Sequence, residues 1–459
     1  MIKPVKKHLP FVLTFLFFQQ AIHAQVLDTA VTSLKQLLEV AEKNYPLLKA
    51  KALEIQAAQK GVRISKNSLL PALDASYQVN YATYNNITGM AWPQFLVPIS
   101  GPPSTSNNMS GVFGSAASLL LNWQPVTFGQ RQAQVNYAES GVQYATADAQ
   151  NEIFQHKVKV INAWLDVITA NELVKVYEEN IRRTETNLAV ARTLVINGIK
   201  PGVDSALLRS EISKARVDWL NSRKIKEQAL IALSQLTATD KSISITDTSY
   251  FYKLPATTVI ADTVSNPLIA VYNADIEMSR SKKKLLSRTA MPTLGAWSTL
   301  YARGSGIEYN GTIKSTEGLG FQRYNYGVGL QLSVPILQSV RLKPQLQQQD
   351  LLIQSGREKL QELSLQVQKQ KELADTALNT ALAVAHETPV FYESASFAYK
   401  ALVSRYQSGL ANFADLIQGQ YGLVKAQTDN KTAYMAVWKA LLFKAAVTGD
   451  LTIFLNQVN

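Results

Sequence analysis

From Gln130 to Ile196 the chain runs for 67 residues without a proline, and Gly141 is the one glycine in the run. An unbroken helix of that length is about 100 Å long at ~1.5 Å per residue. A compact domain is far smaller, so such a helix cannot be enclosed by one. Its apolar positions recur at spacings of three and four: Val135, Ala138, Val142, Ala145, then Val158, Ile161, Leu165, Ile168. That spacing makes a coiled-coil-like seam. The stripe is rich in Ala and polar groups, which suits helix-on-helix packing in a layer wetted on both sides. A second long helix is expected from Leu346 to Gln407, with a break near His386 to Pro389. Each run ends at a glycine turn, and shorter helices return over about 204–237 and 413–448.

A different period appears between the helices. In LDASYQVNYATY, residues 73–84, Leu73, Ala75, Tyr77, Val79 and Tyr81 fall on one face, while Asp74, Ser76, Gln78 and Asn80 fall on the other. Period two predicts a strand with one apolar and one polar side. YNYGVGLQLSV (324–334) repeats the pattern, and ASLLLNWQ (117–124) is a further strand. LGAWSTLYAR (294–303) is the weakest, because Trp297 and Tyr301 blur its alternation. The strands are expected over about 72–84, 115–124, 293–303 and 323–334. Each is about the length that crosses a bilayer when tilted. Apolar residues outside and polar or small residues inside match the wall of a membrane barrel. Backbone groups in lipid must all be paired, so an open sheet edge is not tolerated. Four strands are fewer than the eight of the smallest single-chain barrels. Several chains are therefore expected to share one wall. The competing reading is a soluble sheet packed on helices.

The chain contains the same plan twice. Pro46 and Pro267, and Pro71 and Pro292, are 221 apart; Pro125 and Arg131 precede Pro335 and Arg341 by 210; Asn197-Gly198 and Asp204 precede Ser408-Gly409 and Asp415 by 211. An ordered series of matches predicts duplication. Each half opens with a helix, about 32–66 and 266–288, ended by a proline. A strand, a loop rich in Gly, Pro, Ser and Asn (about 85–115 and 304–322), a second strand, the long helix and the return helix follow. The expected organisation is repeat one over 32–238, a connector over 239–261 and repeat two over 262–451.

Before these repeats stands MIKPVKKHLPFVLTFLFFQQAIHAQ. A basic start, an apolar core over 9–18 and Ala24 before Gln25 form the pattern of a secretory signal peptide, residues 1–24. Its core is too short to span a bilayer. The formal charge is +12. Lysines and arginines are scattered among carboxylates along helices, with no basic run interleaved with aromatics, so nucleic acid is not an expected partner. The absence of cysteine excludes disulfides, thiol catalysis and thiolate metal sites. Beyond the leader only His156 and His386 remain, each alone on a helix, and AHETP is not a zinc-binding H-E-x-x-H. GVG at 327–329 lies within a strand, and its glycines are expected to relieve crowding on the inner wall. No nucleophile, base and orienter come together. No enzyme activity, metal or cofactor is expected.

Duplicated halves, paired strands, ~100 Å helices and a glycine turn six residues before an aspartate resemble the TolC family of outer membrane efflux proteins. LKQLLEVAEKNYPLLKA is similar to the family's opening helix, LNWQPVTFGQRQAQV to its second-strand exit, and RYQSGLANFADLIQ to its tip motif. The resemblance spans about Thr32 to Leu451. It implies a mostly α fold with a small transmembrane β part: long coiled-coil hairpins form an α-barrel, and four strands per chain contribute to a trimeric 12-stranded β-barrel. The implied function is an export duct of a tripartite efflux or type I secretion system, set in outer membrane lipid with its helices in the periplasm. The implied partners are two further copies, a periplasmic adaptor protein and an inner-membrane transporter. A periplasmic adaptor or a structural coiled-coil envelope protein are the alternative readings.

The resemblance also nominates residues at the periplasmic end. The turns at Asn197-Gly198 and at Ser408-Gly409-Leu410 would form the tip and meet the adaptor. Asp204 and Asp415 start the return helices, where a carboxylate caps free N–H groups and favours the helix dipole. Asp415 also falls where the family carries the first of two aspartates ringing the closed entrance; the second falls on Gln418. Tyr406 matches a tyrosine of the family's gating links, while the arginine of those links falls on Ala411. Lys200 and Pro201 are inserted at the first turn.

Overall fold

The computed structural model describes residues 33–83, 85, 106–239, 243, 245, 248–256, 266–308 and 310–458. The expected leader, most of the loop at 85–115 and parts of the connector at 239–261 lie outside the described residues.

The first helix differs from the expected single element. It splits into α1 (Leu34–Asn44) and α2 (Pro46–Asn67), and Tyr45 between them is extended at φ −63°, ψ 123°. Pro46 is the cause: its ring disfavours helical geometry at the residue before it, yet suits the first position of the next helix. β1 (Ala72–Ala82) and β2 (Val112–Val126) follow, then α3 (Gln130–Ile196) and α4 (Gly202–Thr237). The second half repeats the order with α5 (Pro267–Arg288), β3 (Thr293–Ser305), β4 (Arg323–Ser333), α6 (Gln338–Gln407) and α7 (Phe413–Thr448). Corresponding helices have the same length: 22 residues in α2 and α5, 36 in α4 and α7. A short α8 (Thr452–Leu455) ends the described chain.

α6 corrects a second expectation. It begins before Leu346 and passes through both Pro344 and Pro389 without a break. A proline inside a helix removes one backbone bond and crowds the preceding turn. Around Pro389 the packing holds the helix together: Ala385 is fully buried, and the Thr388 hydroxyl meets the Asn430 side chain of α7 at 3.1 Å.

The strands form one antiparallel sheet in the order β1-β2-β3-β4, leaving β1 and β4 as edges. The register fixes the two faces. Tyr77 lies beside Ala117, Ala117 beside Ala302 and Ala302 beside Tyr324; one step along, Ala75, Leu119, Leu300 and Tyr326 are aligned. This face is mostly apolar, broken by Ser298 and the buried Ser115, and it is exposed along its edges, with Tyr326 at 82% and Leu330 at 76%. The opposite face carries Asp74, Ser76, Gln78, Asn325 and Gln331. Trp297 belongs to this polar face, opposite Gly329. A Cβ on Gly329 would lie 2.6 Å from the indole, and one on Gly327 would lie 3.1 Å from it. The two glycines therefore make room for Trp297, which accounts for the blurred alternation of β3.

The loop over 304–322 is only partly a solvent connection. β3 extends to Ser305, and a 3-10 turn at Ser315–Leu319 packs back on β2, with the Phe113 amide donating to the Ser315 hydroxyl at 3.3 Å. Pro125 sits where the β2–β3 register shifts, a place in a sheet that tolerates its missing donor. The left-handed pair Phe128 and Gly129 then turns the chain into α3, and the Arg131 guanidinium donates to the Gln124 carbonyl at 2.6 Å.

The main core lies about halfway along the helices. Val160, Ile161, Trp164, Leu165 and Ile168 of α3 meet α1, α4 and α7 there. Tyr250, Trp438 and Phe454 stack edge to face, and the Trp438 indole donates to the Tyr250 carbonyl at 3.1 Å. α1, the described connector residues such as Tyr250 and Phe251, and the C-terminal segment thus form a girdle packed on the middle of the long hairpins. His156 is packed in this region: it stacks on Tyr45 at 4.0 Å, and burial lowers its imidazole pKa. Among the described residues no cluster of His, Asp or Glu could hold a metal ion.

Candidate functional site

The ends of the two long hairpins meet each other at the pole opposite the sheet. α3 stops at Asn197 and α6 at Ser408, and the next residues, Gly198 (φ 70°) and Gly409 (φ 75°), are left-handed. That conformation strains any residue with a side chain, and it is the usual end of a helix at glycine. The backbone bonds match in the two turns: Ile199 donates to Leu194 at 2.9 Å, and Leu410 donates to Arg405 at 2.8 Å. Beneath them Leu194, Leu208, Tyr406, Leu416 and Ile417 pack as a separate apolar core.

Asp204 does not play the capping part expected from its position. α4 has Pro201 at its N-cap and no side-chain cap bond. The Asp204 carboxylate is instead buried and accepts a hydrogen bond from the Tyr406 hydroxyl at 3.0 Å. Burial, and then the carboxylate itself, push the Tyr406 phenol above its ordinary pKa. Lys200 completes the group. Its ammonium donates to the Ala411 carbonyl at 2.7 Å and lies 5.2 Å from the centre of the Tyr406 ring. Sequence reasoning noted Lys200 only as an insertion. Its contact joins residues 211 apart, and no local signal marks it.

Asp415 does cap its helix. Its amide donates to the Asn412 side chain at 2.8 Å, and its carboxylate accepts from the Asn412 amide, a reciprocal capping box. Asp415 and Gln418 are both exposed and lie three residues apart on one face of α7. Leu410 is 72% exposed at the pole, and Ile196 and Ile199 of the first turn are exposed beside it. The two isoleucines were not among the residues picked out from the sequence.

Above this apolar core a polar seam joins α3 to α6 and α7. The Gln420 amide donates to Asn180 at 2.9 Å and to Thr184 at 2.5 Å, and the Asn187 amide donates to Tyr399 at 3.0 Å and to the Gln420 carbonyl oxygen at 3.1 Å. These groups are buried and satisfy one another, so the two hairpins are tied in one register.

A sheet with an exposed apolar face, standing on ~100 Å hairpins that end in bonded turns, is a fold of the outer-membrane-channel type. Residues 37–239 match the model of the family described as outer membrane efflux protein. The fold is similar to that of the channel CusC, with a TM-score of 0.75 over 91% of this chain and 92% of that one at 13% identity. It is also similar to the CmeC outer membrane channel of Campylobacter jejuni (0.72, 91% and 85%, 14% identity) and to the outer membrane protein VceC of Vibrio cholerae (0.69, 91% and 96%, 14% identity). At these identities the likeness is one of fold. Compared with curated proteins by sequence, the chain finds no match. Over residues 37–239 the sequence carries the pattern of the outer membrane efflux protein family.

Proposed function

We propose that three copies of this chain close a duct through the outer membrane, with their helices reaching down through the periplasm. The open four-stranded sheet carries this reading. Among the described residues β1 and β4 have no strand on their outer edges, and the sheet exposes an apolar face. In hydrocarbon those edges must pair, and a second and third copy supply the strands. A row of exposed apolar side chains on α4, including Val203, Leu207 and Val217, supports lateral packing between copies below the membrane. The signal peptide at 1–24 would direct the chain out of the cytoplasm.

At the far pole, Lys200, Asp204 and Tyr406 hold the two hairpins of one protomer together, in the place of the family's gating links. Lys200 supplies a cation where Ala411 stands in for the arginine. Asp415 and Gln418 face the axis of the trimer, and three Asp415 carboxylates there attract cations and repel one another. Asn197, Gly198, Ser408, Gly409 and Leu410, with exposed Ile196 and Ile199 beside them, form the surface met by an adaptor protein. An inner-membrane transporter feeds substrate from behind. Single-channel recording in planar bilayers tests the reading: a pore whose conductance rises with Asp415→Ala supports it, and no pore in any condition contradicts it.

A further inference from the structure

The positive charge of this chain is concentrated just below the sheet. α2 and α5 lead up into β1 and β3, and α3 and α6 lead down from β2 and β4, so residues 60–67, 130–142, 280–288 and 338–350 lie at one level. These segments hold eleven lysines and arginines against two carboxylates, Glu139 and Asp350, whereas the whole chain has a surplus of twelve. Lys60, Arg63 and Lys66 are exposed along one face of α2 and line an open groove of about 660 Å³ between α2 and α3, together with Glu139 of α3, which pairs with Lys66 at 3.7 Å and leaves Lys60 and Arg63 as the groove's uncompensated cations. On α5, Lys282 and Lys284 are exposed; Lys283 pairs with Asp350 at 2.6 Å. Among the described residues no carboxylate pairs with Lys60, Arg63, Lys282 or Lys284. Unbalanced like charge costs folding energy, so its clustering at one level calls for a counter-charge from outside the chain.

The residues between these helices and the strands say where that level lies. Leu70, Phe128, Ile336 and Leu337 are exposed at the joints, and Trp123 ends the apolar face of β2 with its indole donating to the Leu69 carbonyl at 2.8 Å. Exposed apolar groups and a tryptophan at the end of a membrane strand mark the bilayer interface. Lys60 is seven residues from the end of α2, about 10 Å at ~1.5 Å per residue. The basic level therefore falls within reach of the headgroups of the periplasmic leaflet.

We infer that this belt is a binding surface for anionic phospholipid headgroups, and that the groove lined by Lys60, Arg63 and Lys66 holds the phosphate of one of them. The inference rests on the membrane duct reading. Basic residues at a membrane surface favour anionic lipid, and the attraction weakens with salt.

The test is native mass spectrometry of the full-length protein in detergent, titrated with phosphatidylglycerol or phosphatidylcholine. The expected result is retention of phosphatidylglycerol about tenfold over phosphatidylcholine, falling as salt is raised. The combined variant Lys60→Gln, Arg63→Gln, Lys66→Gln, Lys282→Gln, Lys284→Gln is expected to lose most of that preference, whereas Lys224→Gln with Lys226→Gln, on α4, keeps it. Equal retention of the two lipids by the unaltered protein, or an unchanged preference in the five-site variant, overturns the inference. So does a variant that shifts only the ion selectivity of the pore, because the charges then face the lumen. Mass and conductance of the same preparation report separately on the duct: a trimeric pore without lipid preference sinks this inference alone.

Discussion

Among the described residues the Tyr406 hydroxyl is the donor that the other hairpin gives to the buried Asp204 carboxylate. Tyr406→Phe deletes it and leaves a buried carboxylate short of a partner, a loss of about 1–3 kcal/mol. The expected outcome is a lower melting temperature and a higher single-channel conductance, since the tip is both weakened and loosened. Lys200→Ala is expected to move conductance the same way by a smaller step, because the Ala411 carbonyl can turn to water. Glu172 offers a pH test at the girdle. Burial opposes its ionisation, but Lys175 at 3.0 Å and Lys431 at 3.1 Å outweigh burial and hold its pKa below the ordinary 4.5. A carboxyl with a depressed folded pKa contributes stability above its unfolded pKa and loses it as pH falls through the folded value. Thermal melts are therefore expected to show a Glu172 contribution that is constant above about pH 5 and fades below pH 4.5. Glu172→Gln should remove that part of the slope.

Helices and strands were legible because each kind keeps its own period over many residues. The bounds of α3 follow from a proline-free run between a Gly129 turn and a Gly198 turn. What remained hidden was decided by contact. The passage of α6 through Pro389 depends on Ala385 and Thr388 packing against α7, which a local proline rule cannot see. The split at Tyr45 was readable from Pro46, whose ring disfavours helical geometry at the residue before it, although the sequence over about 32–66 reads as one helix. Trp297 looked like a defect in β3 until register set it over Gly327 and Gly329. Gly329→Val tests that fit: the added methyls meet the indole, at a cost of about 1–3 kcal/mol. Less assembled protein in detergent is expected, with recovery when Trp297→Ala is added. At the tip, the aspartates and glycines were legible from the repeat, whereas the Lys200 contact required two hairpins folded side by side.

On the scale of the whole molecule, the central claim is that one chain is an incomplete wall. Its two sheet edges and its exposed apolar face are stable only beside further copies and lipid. The same logic explains why duplication suits this fold, since each repeat brings one pair of strands and one long hairpin. The direct measurement is the mass of the purified full-length protein released from detergent in the gas phase. Three chain masses in one particle, obtained only when detergent was present throughout purification, is the predicted result. A single chain mass from protein that stays soluble without detergent would contradict the account.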